Sequence, residues 1–380
     1  MLAGDYKKQV TIPPRQVHLL LSVTCICWLA AKLTGWKLWI AERSFPVVPP
    51  FGFLYNLPTI THWILLIVSV TSLLLLIIKP GNKIIQGSLL CSELFSCLLD
   101  ENRWQPWEYL YLFILFIFII NKNKTAAITN CFIILLATIY FYSGLHKFND
   151  SFLSGIWENM VLKRFLKIPV PVDKGWLHYA GYILPVIESF SGIGLLFLRT
   201  RKIAAIMLIS MHLFILLLVG PFGLHYEKIV WPWNMAMIFF HRILYIKNSQ
   251  VSLQSSFLNN RNKIILFCWG ILPAFNFVGL WDNFLSWNLY SSELPQMAIC
   301  IKDPATAMKF QSLINKKDNL NICNGSALIN VQAWALHEMG VPACPEERTF
   351  RKIKERWKKD FPLSNVDFII YYFPFKPIVK

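Results

Sequence analysis

Residues 59–78 read TITHWILLIVSVTSLLLLII, twenty positions without a formal charge between Pro58 and the Lys79-Pro80 step. A helix rising about 1.5 Å per residue over this length matches a hydrocarbon core of about 30 Å. Inside lipid such a segment must satisfy its own backbone hydrogen bonds, which a helix does. The rest of the chain agrees. Of 380 residues, 55% are hydrophobic, 15% aromatic and only 15% charged, and the mean hydropathy is +0.47. That composition is too apolar for an ordinary water-exposed surface. Charges gather instead in short runs such as Arg199, Arg201 and Lys202, which mark loop ends between apolar stretches.

Nine apolar stretches could form membrane spans: 17–40, 59–78, 87–99, 109–120, 125–145, 176–198, 203–219, 230–245 and 264–280. The fold class is therefore an all-α polytopic membrane bundle of about nine spans over residues 1–285, with a small C-terminal α/β domain over 286–380. The third and fourth stretches fall short of the roughly 17 residues of a full span, as tilted helices or a re-entrant pair would. Lys7, Lys8 and Arg15, Lys79 and Lys83, Lys122 and Lys124, the Arg199–Lys202 run, and Lys247, Arg261 and Lys263 fall on one side. Loops on the other side mix signs, so the N-terminus is expected in the cytoplasm and the C-terminal domain outside the cell membrane. The first stretch lacks a small-x-small cleavage site around Cys27–Lys32 and continues as Trp36-Lys37-Leu38-Trp39, so it reads as a span rather than a signal peptide. A net charge of +16 follows from retained positive loops. No interleaving of basic and aromatic residues points to nucleic acid.

Polar and aromatic segments converge on the outer face: Glu42–Pro46, Leu99–Trp107, Ser143–Lys147 and Gly220–Glu227. An interfacial belt accounts for the aromatic residues. It does not require the titratable groups Asp100, Arg103, His146, Lys147 and His225, which favour an outward-opening pocket. Deeper, Glu188 and His212 each lie about twelve residues from the Arg199–Lys202 turn, at similar depth on adjacent helices. Intramembrane charge costs about 2.5–3.5 kcal/mol on insertion scales, so these two are expected to pair or to line a cavity.

Asp100-Glu-Asn-Arg-Trp104-Gln-Pro-Trp-Glu-Tyr109-Leu-Tyr111 and Tyr140-Phe-Tyr-Ser-Gly144-Leu-His-Lys147-Phe-Asn-Asp resemble segments of the membrane region of vitamin K-dependent gamma-carboxylase. Bacterial relatives of that region are the horizontally transferred transmembrane (HTTM) domains. His212, Gly220-Pro-Phe-Gly223 and Trp231-Pro-Trp233 are similar to a later segment, so the resemblance covers about residues 17–245. It implies a quinone-linked membrane enzyme, an oxidoreductase or a lyase, with Lys147 as base and a reduced quinone as redox partner. Glu188, His212 and Asp100 would support the chemistry, and Arg103, Trp104, Trp107 and His146 would hold the quinone. A lysine suits that role when an apolar pocket brings its pKa from about 10.4 toward neutrality. Trp107 stands where the carboxylase has a functional His, and the large domain that binds the carboxylase's protein substrate is missing. Protein-glutamate carboxylation is therefore not expected.

In the tail, strands are expected at 296–301, 320–323 and 366–373, and helices at 304–314, 326–339 and 345–359. Such a short domain is expected to lean on the bundle and to lid the pocket. Six of the nine cysteines lie in apolar stretches; Cys300, Cys323 and Cys344 leave room for one disulfide and an odd thiol. Asn149-Asp-Ser and Asn324-Gly-Ser match the glycosylation triplet. No metal, flavin or nucleotide pattern is present. The alternative to an enzyme is a non-catalytic membrane subunit or scaffold whose outer domain meets a protein partner.

Overall fold

A computed structural model describes residues 13–122, 124–169, 175–225, 227–247, 262–315, 321–372 and 376–377. Lys7, Lys8, Arg261, Leu320 and Phe373, used in the charge and strand readings above, lie outside the described residues. All nine apolar stretches fall on helices. These are α1 (Pro14–Thr34), α2 (Ile60–Ile78), α3 (Lys83–Leu99), α4 (Pro106–Asn121) and α5 (Thr125–Leu145), then α7 (Ile183–Gly194), α8 (Arg201–Val219), α9 (Val230–His241) and α10 (Lys263–Val278). Between α5 and α7 a further segment, α6 (Leu153–Phe165), has wide π-type winding. Among the described residues four helices, α1, α2, α5 and α8, are long and apolar enough to cross a membrane; α4 and α10 are apolar but shorter.

Local signals explain the ends. Pro80 and Gly81 stop α2, and the Asn82 side chain caps α3 by accepting from the amides of Ile84 and Ile85 at 3.0 and 3.2 Å. Pro106 opens α4, where its missing N–H costs nothing. The first helix stops at Thr34, short of the expected residue 40, because the chain turns at Gly35 into a 3-10 turn, Trp36–Trp39. The 176–198 stretch is likewise a broken helix: separate turns precede α7.

Two environments follow from packing. On α2, Ile60, Ile64, Ile67, Leu74, Leu75 and Ile78 are exposed, an outward apolar face that suits lipid rather than water. On α5 most side chains are buried, so it is the central post. The most extensive helix pair is α5 with α7, and glycine permits it. A Cβ on Gly144 would lie 2.7 Å from the Ser189 amide nitrogen, and one on Gly192 would lie 2.7 Å from that of Phe141. No such contact is tolerated, so both positions must be bare.

The tail is a five-stranded antiparallel sheet ordered β2-β3-β1-β4-β5, with β1 (Gln296–Ile301), β2 (Ile314–Asn315), β3 (Ala327–Asn330), β4 (Val366–Tyr372) and β5 (Lys376–Pro377). Helices α11 (Pro304–Lys309), α12 (Val331–Met339) and α13 (Glu347–Asp360) pack with it. The expected strand at 320–323 is a turn instead: Asn321 and Asn324 take positive φ, incompatible with extension. The expected 326–339 helix starts only at Val331, because 327–330 pairs with β1. Cys300 of β1 and Cys323 of that turn are disulfide-bonded, and Cys344 is a buried thiol.

The tail leans on the bundle, as its size predicts. Phe45 meets Trp334 edge-on at 4.9 Å. Glu101 accepts from Thr349 at 2.5 Å and also pairs with Lys352. The Cys344 amide donates to Asn102 at 3.1 Å, and Gln105 donates to the Pro342 carbonyl at 3.1 Å. One continuous apolar core runs from Trp28 in α1 to Trp357 in α13.

Candidate functional site

Tyr140, Ser143 and Lys147 follow one another at spacings of three and four, so they share one face at the end of α5. That face meets α7 where Gly144 and Gly192 bring the backbones together. Lys147 Nζ consequently donates to Glu188 Oε2 at 2.6 Å and to Ser143 Oγ at 2.9 Å. The two charged side chains are only 13% and 8% exposed. Glu188 thus pairs with Lys147 rather than with His212, the neighbour that equal depth had suggested.

The ion pair forms part of the wall of an apolar cavity of about 430 Å³ between α6, α7 and α8. Ile156, Leu184, Ile187, Ile206 and Phe214 supply much of its lining. Ile206 and Met207 also lie exposed on the bundle's outer surface, so the cavity opens where lipid would lie. Behind the pair, a cavity of about 60 Å³ is lined by Tyr140, Ser143, His212, Asn234, Lys147 and Glu188 among others. A third space, about 460 Å³, lies under the tail and shares Val230, Trp233, Leu289 and Tyr290 with the small one. Tyr290 lines all three, so the segment leading into the tail closes over the site.

His212 and Glu188 do share the small cavity. His212 Nε2 is 2.6 Å from the Tyr140 hydroxyl, which is 2.7 Å from His241 Nε2, and His212 Nδ1 is 2.7 Å from Asn234 Oδ1. Tyr140, Asn234 and His241 were not read as site residues. Two of the three carry no formal charge, and only the fold converts them into neighbours of His212.

The other expected site residues gather elsewhere. Asp100 pairs with Arg43 and accepts from the Asn102 amide at 3.1 Å. Arg103 donates to the carbonyls of Leu38 and Ser96, each at 3.0 Å, and meets His62 Nδ1 at 2.7 Å. These contacts tie the α3–α4 turn to the segment after α1. Trp104 packs against the main core, and Trp107 meets Trp39 edge-on at 6.0 Å and lines the space under the tail. His146 stacks on Phe277 at 4.3 Å in a separate polar cleft. His225 lines another, with Lys37 and His337. Lys147, Glu188 and His212 therefore come together; Asp100, Arg103, Trp104, Trp107 and His146 do not join them.

A second buried ionic group was missed. Lys32 of α1 donates to Glu93 of α3 at 2.8 Å, Ser69 of α2 donates to the same carboxylate, and Trp28 donates to Glu108 of α4 at 2.6 Å. Lys32 is 1% exposed and Glu93 fully buried. Isolated charges inside apolar runs were the available signal.

In the His146 cleft, Glu346 accepts from the Asn283 amide at 2.7 Å. Burial, with nearby Asp282, raises its carboxyl from the ordinary 4.5 to about 7. A raised acid holds its proton in the folded chain after the unfolded chain has lost it, so this position costs stability as pH rises from 4.5 to 7. Glu346→Gln is expected to raise the melting temperature above pH 7, by up to about 3 kcal/mol in stability, with the gain vanishing below pH 4.5. Thermal melts across that range check it; a gain independent of pH would contradict the assignment.

The chain matches no protein-family model, and neither the curated proteins nor the solved structures include a significantly similar one.

Proposed function

We propose that the chain is a membrane enzyme acting on a lipid-soluble quinone in its reduced form, with Lys147 as base and Glu188 as the group that receives the lysine's proton. The observation that carries this reading is the 2.6 Å Lys147–Glu188 pair in the wall of an apolar cavity that opens on the bundle's outer surface. A ring with an isoprenoid or alkyl chain fits such a lining by chemistry, because its tail stays in an apolar medium throughout. The ammonium–carboxylate and amine–carboxylic acid forms of the pair differ only by one proton moved between Nζ and Oε2. With that proton on Glu188, Nζ carries a lone pair. Lys147 then takes the proton of the bound hydroxyl.

The resemblance of the 100–111 and 140–150 segments to the gamma-carboxylase membrane region supports the same assignment. A bundle of about nine spans, with the N-terminus cytoplasmic and the disulfide-bearing tail outside, belongs to this proposal. The test uses purified full-length protein in lipid nanodiscs, with ubiquinol and menaquinol as probes. Saturable binding and oxygen- or acceptor-dependent oxidation of one of them are expected. Absence of both binding and turnover for either probe sinks the reading and leaves a membrane scaffold.

A further inference from the structure

Polar side chains continue away from Lys147 and Glu188, through the bundle, to the face that bears the α7–α8 turn. Tyr140, His212, His241, Tyr245 and Arg201 are each 5% exposed or less. Arg201 opens α8, and His212 lies eleven residues further on, about 16 Å along the helix axis. Hydrogen bonding fixes the proton positions in the middle of this column. Asn234 Nδ2 donates to the Val230 carbonyl at 2.9 Å, so Oδ1 faces His212 and Nδ1 of that ring must carry a proton. The neutral ring's Nε2 therefore accepts from the Tyr140 hydroxyl, and the Tyr140 oxygen accepts from His241 Nε2–H. The remaining His241 nitrogen, Nδ1, is an acceptor without a hydrogen-bond partner among the described residues; the Tyr245 hydroxyl and the Arg201 Nη1 donor also have none there. Tyr245 stacks beside His241 with ring centres 5.7 Å apart, and α8 packs against the Arg242–Ile246 turn that carries it.

We infer that His241, Tyr140 and His212 form a proton relay between the Lys147–Glu188 site and the side of the bundle that bears Tyr245, Arg201 and the α7–α8 turn. A proton taken up at His241 Nδ1 releases the Nε2 proton to the Tyr140 oxygen, and Tyr140 passes its own hydroxyl proton to His212 Nε2. One proton enters, one arrives, and no electrons move. His212, now an imidazolium, faces the small cavity that Glu188 and Lys147 also line, which has room for a bridging water. The path rests on the proposed function only for the use made of the proton at its end.

The test follows Glu188 itself and needs no turnover, so its failure and failure of the quinone reading are distinguishable. Full-length protein is inserted in one orientation into phosphatidylcholine liposomes, and the Glu188 carboxyl infrared band is assigned by its loss in Glu188→Gln. A rapid pH drop applied to the α7–α8 turn face is expected to protonate Glu188. Tyr140→Phe and the space-filling His241→Gln, each checked for an unchanged melting temperature, should slow that response about tenfold or more, the effect of one lost relay contact. The response to acid on the opposite face should stay at its wild-type rate. Wild-type rates in whichever variant folds, or a Glu188 band that answers only to the opposite face, would overturn the path.

Discussion

Lys147→Met is expected to lower oxidation of the reduced quinone by about 10²- to 10⁴-fold, the range over which a positioned general base acts. The loss should fall on the chemical step. The side chain meets the cavity at its wall, and most of the lining is apolar and untouched by the change. Probe binding should therefore stay within about threefold of wild type, which is under 1 kcal/mol. Glu188→Gln should also slow turnover, since an amide still accepts a hydrogen bond from Nζ but cannot take its proton. Rates within twofold of wild type in Lys147→Met would remove lysine from the chemistry, whatever the quinone result.

Removing Lys32 is expected to have the largest effect on stability. Its ammonium, the Glu93 carboxylate and the Ser69 hydroxyl join α1, α3 and α2 in a region with almost no exposure. Breaking one side of such a pair leaves an uncompensated buried charge and costs about 3–5 kcal/mol. Lys32→Met should thus melt well below wild type, and the double variant Lys32→Met, Glu93→Gln should recover most of the loss. A single variant that melts with wild type would mean that the pair contributes nothing. A double variant worse than the single would mean that packing, not charge, was lost.

Helical architecture was legible because lipid demands long apolar runs: each of the nine stretches contains helix, and four helices among the described residues are long and apolar enough to cross a membrane. Ends were less legible, since Gly35 and the 176–182 turns break helices without breaking hydrophobicity. The equal depth of Glu188 and His212 could be read from helix rise alone, but not their partners. Lys147 reaches Glu188 from beyond the end of α5, and the close approach that allows it depends on two glycines facing each other across helices. Tyr140 stood only as the start of a resembling segment, with nothing to single it out: a tyrosine near a span end is ordinary until two histidines are seen to bond it. Asp100 and Arg103 stand out in the sequence because they are titratable, and the fold places them away from the Lys147–Glu188 pair. There they bond backbone groups, an arginine and a histidine around one turn, partners that composition alone does not show.

The apolar interior shared by the first helix and the last 95 residues has a consequence for biogenesis. Helices inserted early during synthesis, and the loop after the first of them that carries Phe45, keep greasy surfaces uncovered until the final segment has been made, oxidised and seated upon them. Truncation near residue 290 should therefore yield a chain that quality control destroys, not a smaller working protein.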